Sequence, residues 1–144
     1  MSRPPSTATY LADEAATLAF GEALGATLGK SALVCLRGQL GAGKTTLVRG
    51  ILRGFGHSGA VKSPTYTLLE PYDLDGRSVY HFDFYRIVDS EELDFIGIDE
   101  LLDADAIKLI EWPERAEDRL PAADVDVFLQ VDGNGRRIEV SIHT

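Results

Sequence analysis

The eight residues Gly38-Gln39-Leu40-Gly41-Ala42-Gly43-Lys44-Thr45 fill every fixed position of the pattern GxxxxGK[ST]. Each fixed residue type has a mechanical reason. Glycines at 41 and 43 let successive backbone N–H groups curl inward into an anion-binding nest, which side chains there would obstruct. Lys44 adds a full positive charge for β- and γ-phosphates, and the Thr45 hydroxyl is a ligand type that Mg²⁺ accepts. The chemistry open to this loop is therefore the binding of ATP·Mg²⁺ or ADP, with Gly41, Ala42, Gly43, Lys44, Thr45 and Thr46 as the cofactor-binding set.

A magnesium site needs oxygen ligands beyond one hydroxyl, and a carboxylate at the C-terminal end of a neighbouring apolar strand commonly helps. Glu111, directly after Ile107-Lys108-Leu109-Ile110, is the first candidate, giving Thr45 and Glu111 as the metal pair. Asp83 is the second. The two-residue period of a strand over Ser78 to Tyr85 sets Tyr80, Phe82 and Phe84 on one face and His81, Asp83 and Tyr85 on the other. Thr65 follows a proline in the loop after the first helix, where nucleotide-dependent switch segments present a hydroxyl to Mg²⁺ or the γ-phosphate. The three histidines have no paired metal spacing: His81 reads as a hydrogen-bonded strand residue, His57 and His143 as loop and terminus. Trp112 fits either a core position or a cover over a base.

The elements that must position these residues follow in the required order. Ser31 to Leu36 is a short apolar run suited to a buried strand, and it feeds into the glycine loop. Leu47, Val48, Ile51 and Leu52 mark a helix from Lys44 to about Phe55. Ahead of both, Ala12 to Gly29 reads as an amphipathic helix, with Asp13 near its start, apolar pairs Ala15/Leu18 and Leu24/Leu28, and Gly29 as its stop. Gly21 and Gly25 in that helix would permit close packing. Downstream, Thr67 to Leu74 and Ser78 to Tyr85 form a predicted hairpin about Asp75-Gly76. Ser90 to Leu102 predicts one or two short helices broken near Gly97 and capped by Ser90. Ala106 to Ile110 is a further apolar strand. Val125, Val127, Leu129 and Val131, then Ile138, Val140 and Ile142, alternate with polar residues about Gly133-Asn134-Gly135, a closing antiparallel hairpin.

At 144 residues with 44% hydrophobic content, the chain has room for one domain around one core, and no repeat or linker divides it. No apolar run approaches the ~20 residues that cross a bilayer, and Met1 to Pro5 lacks a signal-peptide layout, so a cytoplasmic protein without membrane contact is expected. The single cysteine, Cys35, fits a reducing compartment and reads as a small core residue. A formal charge of −9 argues against independent nucleic-acid binding, which draws on lysine and arginine. If RNA is involved, another protein holds it. Every charged residue between Arg86 and Lys108 is acidic, either a solvated helical face or a docking surface for a basic partner.

Together, Gly-Gln-Leu-Gly-Ala-Gly-Lys-Thr-Thr at 38 to 46, Val-Lys-Ser-Pro-Thr-Tyr-Thr-Leu at 61 to 68, His-Phe-Asp-Phe-Tyr-Arg at 81 to 86, Glu-Glu-Leu at 91 to 93 and Ile-Glu-Trp-Pro at 110 to 113 closely resemble the bacterial TsaE (YjeE) family. The match runs in order over nearly the whole chain. The resemblance implies an ATPase required for threonylcarbamoylation of adenosine next to the anticodon of ANN-decoding tRNAs. It implies low activity alone, action with TsaB and TsaD, and contact with tRNA only through those partners. Hydrolysis would reset the complex between turnovers. By motif, Lys44 and Thr45 become the phosphate and Mg²⁺ residues, Thr65 part of the switch, Asp83 a residue needed for hydrolysis and Glu111 a Walker B-like metal partner. The family's adenine pocket resembles a cleft between the N-terminal segment and the C-terminal hairpin, which implicates Glu14 and Arg136. The expected fold is α/β, a P-loop NTPase-like three-layer domain over residues 1–144, with a mostly parallel central sheet and antiparallel hairpins at its edges.

Two rivals keep the loop and change its use. A small P-loop kinase would carry an arginine-bearing lid and an acceptor pocket, and no segment here is an arginine-rich lid. A nucleotide-dependent assembly factor would need ATP binding without essential hydrolysis.

Overall fold

The computed structural model describes residues 6–61, 67–74 and 76–143. Its strands are β1 Ser6–Leu11, β2 Ala32–Arg37, β3 Leu69–Leu74, β4 Arg77–Asp83, β5 Ile107–Glu111, β6 Val125–Asp132 and β7 Gly135–Ile142. They form one sheet in the order β1-β7-β6-β2-β5-β4-β3. β2 runs parallel to β5 and β6, and β4 runs parallel to β5. The pairs β1/β7, β6/β7 and β3/β4 are antiparallel. The mostly parallel sheet expected from sequence is thus realised only in the four central strands. β2 and β5 are buried on both faces, which is why they read as continuous apolar runs and not as alternating ones.

Helices α1 Glu14–Ala26 and α2 Lys44–Gly54 cover one face. They meet glycine to backbone. A Cβ on Gly21 would lie 2.5 Å from the Leu47 carbonyl oxygen, and one on Gly50 would lie 2.4 Å from that of Leu18. This close approach presses α2 onto the sheet and seals Leu47, Val48, Ile51 and Leu52 against Val34, Leu36, Ile107 and Leu109. The helix expected over Ala12 to Gly29 is shorter, because Asp13 caps it by accepting from the Ala16 N–H at 2.8 Å and Thr27 closes it. Its buried face is Thr17, Gly21, Leu24 and Gly25, with Leu28 beyond its end; Ala15 is exposed and Leu18 only half-buried. The pair Ala15/Leu18 is therefore a correction: the buried face runs through Thr17, Gly21, Leu24 and Gly25.

The opposite face is covered by 3₁₀ segments at Ser90–Ile96, Pro113–Arg115 and Glu117–Arg119 and by the six-residue helix α3 Ile98–Asp103. They bury Leu93, Ile98 and Ala116 on Leu33, Phe82, Phe84 and Ile110. The break at Gly97 falls where expected, at φ 69°. The cap does not: Asp89, not Ser90, starts the segment, in a reciprocal capping box with Glu92. Along the acidic stretch, Asp94 and Asp99 face Arg119. The β3/β4 turn keeps Gly76 at φ 78°, and Asp75 lies outside the described residues.

Strand β1 was not legible as a strand. It pairs only with β7, at the sheet's edge, and its sequence STATYL has no run of large apolar residues to announce it. No helix among the described residues is long and apolar enough to cross a membrane.

Candidate functional site

The loop after β2 bends because Gly38, Gly41 and Gly43 take φ values of 151°, 78° and 104°, which side-chain-bearing residues rarely adopt. At Gly38 space adds a second reason, since a Cβ would sit 2.3 Å from the Leu129 carbonyl oxygen of β6. Gly43 is the N-cap of α2 and offers no side chain to the helix's first N–H groups. Those groups and the helix dipole are left directed at the loop's concavity, the arrangement that receives phosphate or another anion.

Arg136, on β7, braces this loop from behind. Its Nε donates to the Ala42 carbonyl at 3.0 Å, and a terminal nitrogen donates to that of Gly41 at 3.2 Å.

Lys44 is the buried cation of the site, 5% exposed. Its Nζ donates to the Gly38 carbonyl at 2.5 Å and lies 3.8 Å from the centroid of the Trp112 ring. Burial lowers its pKa from the ordinary lysine value, while the carboxylates of Glu111, Glu114 and Asp83 act in the opposite sense. Trp112 owes its position to a left-handed backbone at φ 58°, immediately before Pro113, and its ring packs 4.9 Å from that of Tyr85.

Three parallel strands end at this loop, and their ends carry the rest of the chemistry. Asp83 and Glu111 are paired in register at the ends of β4 and β5. The Thr45 hydroxyl, in the first turn of α2, lies 3.1 and 3.3 Å from the two oxygens of Glu111. Asp83 accepts from the Tyr85 N–H at 2.9 Å. His81 Nε2 is 2.7 Å from Glu111 Oε2, so the strand residue read from sequence has a partner that sequence could not name. Both carboxylates are buried, at 4% exposure.

Leu40, Gly41, Gly43, Lys44, Thr45 and Thr46 line a cleft of about 370 Å³ together with Asp83, Tyr85, Glu111, Trp112 and Arg136. A smaller cleft of about 160 Å³ adjoins it, between the start of α1 and the β6/β7 turn; Glu14, Thr17, Thr46, Asn134 and Arg136 line it. Glu14 and Arg136 therefore border the same cleft, although Arg136 is committed to the loop carbonyls and Glu14 to an ion pair with Arg49. Thr65 lies outside the described residues.

The residues present fit a triphosphate with a hard cation. The fit rests on a nest of N–H groups at a helix N-terminus, one buried lysine and a hydroxyl beside a carboxylate. Among the described residues no group of three or more His, Cys, Asp or Glu side chains could hold a metal by itself. Mg²⁺ takes one or two protein ligands beside waters and substrate phosphates, and the Thr45 hydroxyl next to the Glu111 carboxylate is a pair of that kind.

The family described as "Threonylcarbamoyl adenosine biosynthesis protein TsaE" matches residues 11–138. The chain is similar to the tRNA threonylcarbamoyladenosine biosynthesis protein TsaE of Haemophilus influenzae, with 47% identity over 140 residues, 94% of this chain and 89% of that one. It is also similar to the protein of the same name from Treponema pallidum, with 38% identity over 122 residues, 84% of this chain and 89% of that one. Among solved structures, YdiB of Bacillus subtilis is similar at a TM-score of 0.82 and 25% identity, over 99% of this chain and 90% of that one.

Proposed function

We propose a function on one premise: the chain belongs to the TsaE family of threonylcarbamoyl adenosine biosynthesis proteins. It is an ATPase, the ATP-hydrolysing subunit required for threonylcarbamoylation of adenosine next to the anticodon of ANN-decoding tRNAs. It acts in the cytoplasm with TsaB and TsaD, and hydrolysis resets that complex between turnovers. The net charge of −9 supports a division of labour in which the partners hold the RNA. The observation that carries the ATPase reading is the convergence of Lys44, Thr45, Asp83 and Glu111 on one cleft beside the glycine loop.

In this reading the N–H groups of residues 41 to 46 and the Lys44 ammonium hold the β- and γ-phosphates. Thr45 and Glu111 are the residues that would hold Mg²⁺. When bound, the cation neutralises charge that develops on the transferred phosphoryl oxygens. Asp83, an acceptor-only carboxylate beside Glu111, orients the attacking water and receives its proton. Thr65 completes the site as part of the switch segment, and Glu14 and Arg136 border the nucleoside end. Trp112 and Tyr85 line the same cleft, with the Trp112 ring against the Lys44 ammonium.

Phosphate release by the purified chain, measured alone and with the TsaB–TsaD complex, tests this. Slow release alone and strong stimulation by the partners is the expected result. ATP binding with no release under either condition would leave a nucleotide-dependent assembly factor, and phosphoryl transfer to a small acceptor would make the protein a kinase.

A further inference from the structure

Glu111 is held from two sides. From α2 the Thr45 hydroxyl approaches both oxygens; from within the sheet His81 Nε2 approaches Oε2 at 2.7 Å. His81 is fully buried, and its Nδ1 is, among the described residues, a buried side-chain nitrogen with no hydrogen-bond partner. Carboxylate oxygens accept, so Nε2 is the donor to Glu111, and Nδ1 is left without a partner. Phenylalanine would fill this position without stranding a polar atom in the core. Among the described residues the one side-chain hydrogen bond of His81 is to Glu111, and that bond is what distinguishes histidine from phenylalanine here.

Strand register accounts for the pair. Asp83 aligns with Glu111 and His81 with Leu109, so the histidine sits two residues back on the same face as the aspartate, beneath the carboxylates. The two neighbouring carboxylates then have separate donors. Glu111 takes the imidazole, and Asp83 takes the Tyr85 N–H.

We propose that His81 is a positioning residue for the metal-binding carboxylate: its Nε2–H anchors Glu111 Oε2 and turns the remaining acceptor capacity of that group toward Thr45 and the phosphate loop. The assignment rests on the reading of Glu111 as a Mg²⁺ partner. A donor behind a ligating carboxylate fixes the ligand's orientation, and losing such a partner typically weakens metal binding.

The test uses the full chain and two variants, His81→Gln and His81→Asn. A glutamine amide nitrogen reaches the position of Nε2, whereas an asparagine nitrogen stops near that of Nδ1, short of Glu111. Trp112, the single tryptophan and part of the cleft wall, reports ATP binding by its fluorescence. ATP is titrated in EDTA, and Mg²⁺ is then titrated at fixed ATP. His81→Asn is expected to raise the Mg²⁺ concentration for half-maximal response on the order of 10-fold, while His81→Gln stays within about threefold of the parent. Affinity in EDTA should be unchanged in both. An unshifted Mg²⁺ response in His81→Asn overturns the proposal, as does equal weakening in both variants with equal loss of melting temperature, which would make His81 a packing residue. A parent chain whose response ignores Mg²⁺ defeats the metal assignment of Glu111 itself, and the role of His81 with it.

Discussion

The two faces of the sheet are built from the same strands and bury different chemistry. Under α1 and α2 lie Thr17, Lys44, His81, Asp83 and Glu111 as well as apolar core. Under the short 3₁₀ segments lie Phe82, Phe84, Leu93, Ile98 and Ile110, and one buried cation, Lys108, whose Nζ donates to the Ala104 carbonyl at the far end of β5. The covers differ to match. The first face needs a long helix whose N-terminus is aimed at the strand ends, and glycines that let it come close. The second needs only to exclude water, which short segments with their charges outside accomplish. β4 shows how alternation divides the labour, with phenylalanines to one side and the polar pair His81 and Asp83 to the other.

The sharpest way to break this contrast is to remove the polar end of the first face. Asp83→Ala is expected to spare ATP binding while lowering partner-stimulated phosphate release on the order of 100-fold or more, the usual scale for a lost general base. Normal release in the presence of TsaB and TsaD would return Asp83 to the structural residues. Lys44→Ala should weaken ATP binding by about 1.5 to 3 kcal/mol, because a charge-assisted phosphate contact disappears. Calorimetry that finds unchanged affinity would contradict it.

The fit of the first cover is tested by Gly50→Ala. Alanine gains about 1 kcal/mol of helix propensity over glycine, but overpacking costs about 1 to 3 kcal/mol, and the obstacle here is backbone. A Cβ 2.4 Å from the Leu18 carbonyl oxygen forces α1 and α2 apart, so net destabilisation is expected in denaturant unfolding. A more stable variant would show that the helices are not held at contact.

The smallest effect belongs to the second face. Burial pushes the Cys35 thiol from 9.0 up to about 12. A folded value above the unfolded one means that the native state keeps the proton longer. Its contribution to stability is complete below pH 9 and is lost as pH rises toward 12. Between pH 8 and 10 the parent should lose about 1.4 kcal/mol more stability than Cys35→Ala. Parallel pH profiles for the two proteins would refute the assignment of Cys35 as an inert core thiol.

What could be read from sequence was whatever repeats locally. The glycine loop declares itself because its geometry demands glycine at fixed intervals, and the two faces of β4 follow from a period of two. Edge strand β1 escaped because one polar neighbour suffices to hold it and no apolar pattern is required. The cap at Asp89 was displaced by one residue because Asp89 and Ser90 are both good caps and only the capping box with Glu92 separates them. In α1 the pair Leu24/Leu28 and the close approach at Gly21 and Gly25 were legible, whereas Ala15 and Leu18 fall off the buried face that Thr17, Gly21, Leu24 and Gly25 define. The two interactions that finish the candidate site join residues distant in sequence, His81 with Glu111 and Arg136 with the loop, and they exist only once the register of β4, β5 and β7 is set.

Arg136 carries an entropic consequence. A glycine-rich loop left to itself samples many shapes, and a ligand that selects one must meet the entropy of the rest. Here a guanidinium contributed by the distant hairpin holds two of its carbonyls. The tertiary fold itself then bears part of the ordering entropy of the loop, so the β6/β7 hairpin contributes to the shape of the cleft through Arg136.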